Sequence, residues 1–263
     1  MVNLRATASL LVLAAFLAPS LAYADCGNDD IPDTAFNATV GADGIAANGS
    51  LFFGSGNPPT GFLQQEADRT PLELDLSIIH RTGNTIQPSG VTGCGEIIYT
   101  VPAGPQVVDP ANGVGEANPK RAAWNFNYAA LLGTSAGTLQ QFLAGGNKLQ
   151  IKIDLDPGPG VRTLTLRAVF DPTHNPAGSN IVWETAQGAI LFGDDGGTTQ
   201  ATENSENDAF WAGLIGSDAK HLGYDFGPAV FNIELKAVTR SGRTLGDIRT
   251  IINVVDEPAP QTN

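Results

Sequence analysis

The chain has 263 residues, with 27 Asp and Glu against 14 Lys and Arg, for a formal charge of −13. That balance argues against nucleic acid and anionic membrane surfaces as partners, since both repel an acidic protein. With 42% apolar residues and only two cysteines, the chain can bury a sizeable core and is not a disulfide-dense miniature scaffold.

Residues 1–24 read as an export signal. Arg5 gives a basic start, Leu10 to Leu17 is apolar but too short to span a bilayer, and Pro19 ends the run. Ala22-Tyr23-Ala24 then offers a small-residue cleavage site, so secretion or release into the periplasm is expected, with no membrane span after cleavage. Asp25 stands where a lipoprotein signal carries a small apolar residue, which argues against a lipid on Cys26. Loss of Arg5 takes the mature charge to −14. In an oxidising compartment Cys26 and Cys94 are expected to pair, and closing a loop of that length contributes about 4 kcal/mol through the unfolded state.

The mature chain is rich in period-two alternation, the mark of strands with one apolar face. Asn48-Gly49 is a turn signal between short apolar pieces over 40–53, and Gly54-Ser55-Gly56-Asn57-Pro58-Pro59 is a break. Leu72, Leu74, Leu76 and Ile78 alternate with Glu73, Asp75 and Ser77; a turn at Gly83-Asn84 leads to a strand over 96–101. Residues 105–119 read as an exposed loop, and 121–128 as a strand carrying Trp124, Phe126 and Tyr128 on one face. A short helix is expected over 138–143, stopped by Gly145-Gly146.

The clearest hairpin follows. Leu149, Ile151, Ile153 and Leu155 alternate with polar residues, Asp156-Pro157-Gly158-Pro159-Gly160 turns the chain, and Leu164, Leu166 and Ala168 resume the pattern. Residues 181–192 read as a strand pair or bulged strand interrupted at Gly188, 193–207 as a long acidic loop, and 208–214 as a helical turn or two. Phe231, Ile233, Leu235 and Ala237 open a closing hairpin that turns at Ser241-Gly242 and returns over 248–255. The expected fold is all-β: a single large antiparallel β-sandwich over 25–256 with long loops and one or two short helices, then a polar tail over 257–263.

Several of these segments resemble exported bacterial proteins, many of which carry a C-terminal PEP-CTERM sorting tail. The resemblance rests on Gly54-Ser55-Gly56-Asn57-Pro58, the 73–81 strand ending in His80-Arg81-Thr82-Gly83, and Tyr99-Thr100-Val101-Pro102-Ala103-Gly104. Ala123-Trp124-Asn125-Phe126, Glu203-Asn204-Ser205-Glu206-Asn207 and the closing hairpin complete it. Glu257-Pro258-Ala259-Pro260 is not followed by the membrane segment and basic end of that tail, and the resemblance implies no catalytic residues.

Four patterns are chemically suggestive. Gly133-Thr134-Ser135-Ala136-Gly137 matches the G-x-S-x-G nucleophile elbow, with His174 or His221 as nominal base; the parallel α/β scaffold that strains such an elbow is missing, which favours a small-residue turn. Asp154, Asp156, Asp194 and Asp195, with Glu203, Glu206 and Asp208, could supply oxygens to calcium, the one cofactor the sequence suggests, although the EF-hand spacing is absent. Pairs of such carboxylates could also hydrolyse glycosides. Trp124, Trp183 and Trp211 could stack on sugar rings or fill the core. The function expected from all of this is a non-catalytic exported envelope, matrix or surface-interaction protein, with glycan, surface or self-association as partners. A secreted hydrolase, either an acidic-loop glycosidase or a Ser135-type esterase, is the alternative.

Overall fold

The computed structural model describes residues 35–39, 60–66, 72–81, 83–92, 96–154, 163–174, 179–193, 198–207 and 226–256. Expectations on 1–24, 208–214 and 257–263, on the Asn48-Gly49 and 54–59 turns, on the 156–160 connection, and on Cys26, Cys94 and His221 fall outside them. In chain order the strands are β1 (Ala35–Thr39), β2 (Thr60–Glu66), β3 (Leu72–His80), β4 (Gly90–Val91), β5 (Ile97–Pro102), β6 (Pro105–Gln106), β7 (Asn118–Ala122) and β8 (Trp124–Leu132). After the helix α1 (Leu139–Ala144) come β9 (Lys148–Asp154), β10 (Thr163–Phe170), β11 (Ile181–Glu184), β12 (Ile190–Gly193), β13 (Ala201–Asn207), β14 (Ala229–Val238) and β15 (Thr244–Val255). Among the described residues the structure is all-β apart from α1 and two 3-10 turns, Pro110–Asn112 and Thr134–Ala136.

The strands form an eight-stranded sheet in the order β12-β11-β10-β9-β14-β15-β5-β4, a five-stranded sheet in the order β1-β2-β3-β8-β13, and a small β6-β7 pair. The hairpin read around 148–170 is β9 paired with β10, with Leu164 opposite Ile153 and Leu166 opposite Ile151. β14 adds to the other side of β9 and sets Ile233 against Ile153 and Leu235 against Ile151. The closing hairpin pairs β14 with β15 along ten registered positions. Its turn is closed by Thr239 N donating to Arg243 O at 2.8 Å and Gly242 N to Thr239 O at 2.9 Å.

One pairing corrects the antiparallel expectation. β5 runs parallel to β15, with Tyr99 beside Ile252 and Val101 beside Val254, so the large sheet is mixed. Alternation fixes which face a side chain takes, not the direction of the neighbouring strand, so a period-two pattern reads the same in either pairing.

The two large sheets meet through apolar side chains. Trp124 of β8 lies 6.0 Å from Phe231 of β14, and Tyr128 of β8 meets Trp183 of β11 edge-on at 5.3 Å. Leu72, Leu74, Leu76 and Ile78 of β3 join the same buried cluster as Leu149, Ile151 and Ile153 of β9 and Phe231, Ile233 and Leu235 of β14. Burial of the larger side chains of this core, at ~1.5–3 kcal/mol each, is the dominant favourable term in such a fold. α1 follows β8 where a helix was expected over 138–143. Its Thr138 cap and Gln141 satisfy one another's backbone amides, with Gln141 N donating to Thr138 Oγ1 at 3.2 Å and Thr138 N to Gln141 Oε1 at 3.0 Å.

Two segments read as loops are paired. β13 occupies the end of the expected acidic loop and aligns Ala201 to Asn207 against Leu131 to Asn125 of β8. Its sequence, Ala-Thr-Glu-Asn-Ser-Glu-Asn, has no apolar period for a propensity argument to find; β8 supplies the backbone partners that make it a strand. Residues 105–119, read as a loop, contribute β6 and the start of β7.

Candidate functional site

The five-stranded sheet has a second face, turned away from the aromatic layer, and it is polar and buried. Because side chains alternate along a strand, Glu73, Asp75, Ser77 and Ile79 of β3 point opposite to Leu72, Leu74, Leu76 and Ile78. Strand register then lays them out in rows with β8 and β13. Asp75 is level with Ala129, which is level with Glu203; Ser77 is level with Asn127, which is level with Ser205; Ile79 is level with Asn125. Glu73 starts a further row with Leu131 and Ala201. Glu73, Asp75, Ser77, Asn127 and Glu203 are all 0% exposed. The alternation of β3 predicts one wet face; both of its faces are buried.

The cluster is partly knitted together. Asn125 Nδ2 donates to Ser205 Oγ at 2.8 Å. Asn127 differs: neither its Oδ1 nor its Nδ2 makes a hydrogen bond among the described residues, and the same holds for Ser77 Oγ. A buried amide or hydroxyl without a hydrogen-bond partner costs on the order of 1–3 kcal/mol each, so such groups in a native fold ask for an explanation. Beyond the far end of β3, Arg81 has its pKa pushed down, chiefly by burial and then by Arg121, with Glu206 acting in the opposite direction.

A second feature lies at the His80 end of β3. A cavity of about 220 Å³ is lined by His80, Pro102, Pro105, Val107, Asp109 and Val114 among others. Val107 of this lining is 59% exposed, and Val108, next to it in the chain, is 56% exposed. The loop that shapes it is held by Asp109, which accepts from Asn112 Nδ2 at 2.7 Å and Asn112 N at 3.3 Å. Those bonds, the side-chain one first, hold the Asp109 carboxyl below its ordinary range, and the nearby His80 adds to the effect. Gly83 is required where this loop crosses β3, because a Cβ there would stand 2.4 Å from Asn112 O.

The residues singled out from sequence take other places. Ser135 is exposed on the 3-10 turn between β8 and α1. A nucleophile elbow holds its serine in a strained backbone; the non-glycine residues with positive φ among the described ones are Asn180 and Phe226, not Ser135. His174, its nominal base, packs on Gly193 of β12, so closely that a Cβ there would overlap its Nε2. Trp124 and Trp183 are 1% and 0% exposed, inside the apolar layer, where no sugar ring can stack on them. Asp154 is 4% exposed at the end of β9 and accepts from Asn232 Nδ2 at 3.4 Å. Asp156, Asp194, Asp195 and Trp211 lie outside the described residues. Glu203 and Glu206, assigned to an acidic loop, are strand residues of β13. No group of three His, Cys, Asp or Glu side chains arranged to hold a metal occurs among the described residues.

The residues that the sequence reading did not single out as site candidates are Glu73, Asp75 and Ser77, read only as the polar alternates of a strand, with Asn125 and Asn127. The signal of the two asparagines is present: Trp124-Asn125-Phe126-Asn127-Tyr128 places an amide at alternate positions of an aromatic strand, where asparagine is disfavoured unless it has a task. Comparison with protein-family models, with curated proteins and with solved structures gives no match to this chain.

Proposed function

We propose that the chain is an exported protein whose mature part, 25–256, folds as a single β-sandwich and acts by contact, as an envelope, matrix or surface-interaction module, without covalent catalysis. The observation that carries this reading is the cavity beside His80, with the exposed Val107 in its lining and the exposed Val108 next to it in the chain. Two large β-branched side chains left in water next to a mainly apolar hollow suit the docking of a small apolar group from a partner surface. The facing apolar layers of the two large sheets support the sandwich. The ordinary backbone of Ser135 on an exposed turn speaks against acyl transfer there. The 1–24 segment supports export.

Three measurements test it. Fractionation of producing cells is expected to recover the chain in the periplasm or medium, and recovery in the cytoplasm alone would overturn export. The purified mature chain is expected to sediment with isolated envelope, and Val107→Asp with Val108→Asp to reduce that about tenfold; no sedimentation of the unaltered chain removes the contact reading. A fluorophosphonate probe is expected to leave Ser135 unlabelled, and stoichiometric labelling would make the protein a serine hydrolase.

A further inference from the structure

The buried polar face of the five-stranded sheet has the chemistry of a cation site. Among the described side chains of β3, β8 and β13 on this face, the ionisable ones are acids, Glu73, Asp75 and Glu203, and the other polar ones, Ser77, Asn125, Asn127 and Ser205, each offer an oxygen. Neither His nor Cys stands on it, which points to a hard, oxygen-seeking ion rather than a transition metal. The middle of the face is Ala129, whose methyl leaves room between Asp75 on one neighbouring strand and Glu203 on the other. Two strand spacings put those backbones about 10 Å apart, a span that two carboxylates reaching inward can close around one ion and its water.

The independent indication is Asn127. It is two residues along β8 from Ala129, on the same face and diagonal to both acids, fully buried, with both atoms of its amide unbonded among the described residues. Ser77 Oγ, level with Asn127 on β3, is also buried and unbonded. An oxygen ligand waiting beside acids accounts for an amide and a hydroxyl whose burial is otherwise unfavourable. We propose that a calcium ion sits over Ala129, bound by the carboxylates of Asp75 and Glu203, Asn127 Oδ1 and Ser77 Oγ, with water completing the shell. With two carboxylates rather than three or four, affinity in the micromolar to millimolar range is the expectation, and a preference over magnesium follows from the larger, irregular oxygen shell.

The test is calcium titration of the purified mature chain by calorimetry, with thermal unfolding followed in calcium, in magnesium and in chelator. The expected result is one calcium per chain, a higher Tm in calcium than in chelator, and little effect of magnesium. Asp75→Asn, which preserves shape, is expected to weaken binding about tenfold or more; Asn127→Leu is expected to abolish it while raising the Tm in chelator. Asp154→Asn and the double change Asp194→Asn, Asp195→Asn should leave the titration unchanged. No calcium heat and no calcium-dependent Tm in the unaltered chain would overturn the site. So would binding that survives Asp75→Asn and Asn127→Leu but is lost with Asp194→Asn and Asp195→Asn, which would move the ion to the loop.

Discussion

The outward faces of the two large sheets are both polar, yet they are built on opposite plans. On the eight-stranded sheet the signs alternate across strands: Lys152 Nζ lies 2.9 Å from Glu234 Oε1, Lys236 Nζ 3.1 Å from Asp247 Oδ2, and Arg249 Nη2 2.6 Å from the same Asp247 oxygen. These long side chains bridge β9, β14 and β15 and keep partial contact with water. The five-stranded sheet sets acids beside amides and small residues, with no Lys or Arg from β3, β8 or β13 among the described side chains of the face, and buries Glu73, Asp75, Ser77, Asn125, Asn127 and Glu203. Polar alternation therefore does not mean exposure. Interleaved long cations mark a wet sheet face, and acids among Asn, Ser and Ala mark a covered one.

If stability resides in the layer the sheets share and not in either outward face, the largest loss should come from within. Trp183→Ala removes a fully buried ring that meets Tyr128 edge-on and is expected to cost about 3–5 kcal/mol in urea unfolding. Trp183→Phe should cost clearly less, because the indole N–H makes no hydrogen bond among the described residues. A near-neutral Trp183→Ala would mean that the outward faces hold the fold together.

Next in size is an alkaline effect of the same layer. Burial pushes the Tyr99 phenol well above its ordinary value. The folded state thus keeps its proton where the unfolded chain has lost it. Stability from this group is fully present below about pH 10 and falls as pH rises above it, at ~1.4 kcal/mol per pH unit. Tyr99→Phe should flatten that part of the curve, and an unchanged slope in the variant would assign the loss to other groups.

Much of the inner layer is legible from residue order alone: Leu149-Ile151-Ile153, Phe231-Ile233-Leu235 and Trp124-Phe126-Tyr128 each take the face that their alternation dictates. The helix after β8 is legible too, since Thr138 and Gln141 are three residues apart and only a cap uses them so. What escaped is whatever depends on a distant partner. β13 is a strand because β8 offers it an edge, β5 runs parallel along the edge of β15 that β14 leaves free, and Glu73, Asp75 and Ser77 are buried despite the pattern of a wet face. The candidate site lies in this second category, since its rows exist only once three strands separated in sequence are in register.

Among the described residues on the inner face of the eight-stranded sheet, one is a polar exception. Thr250 of β15 is 1% exposed, level with Ile233 and Ile97, and its Oγ1 makes no hydrogen bond among the described residues. Thr250→Val keeps the shape and removes the unmatched hydroxyl, so it should stabilise by about 1 kcal/mol, read as a rise in Tm. A fall would mean that the hydroxyl is satisfied in solution and that this face is less dry than its neighbours imply.

The smallest effect separates the two outward faces directly. Glu234 joins Lys152 at 2.9 Å with both side chains partly exposed, 16% and 34%. Glu234→Gln should therefore cost only ~0.5 kcal/mol, and the difference should vanish near 1 M salt, where screening acts within about 3 Å. Asp75→Asn alters a carboxylate with no exposure at all, where salt has little access, so its effect should persist across the same salt range. Urea unfolding of both variants at low and high salt measures the contrast. Equal salt sensitivity would place Asp75 in water and remove the distinction between the faces, because a burial difference is what makes one charge screened and the other not.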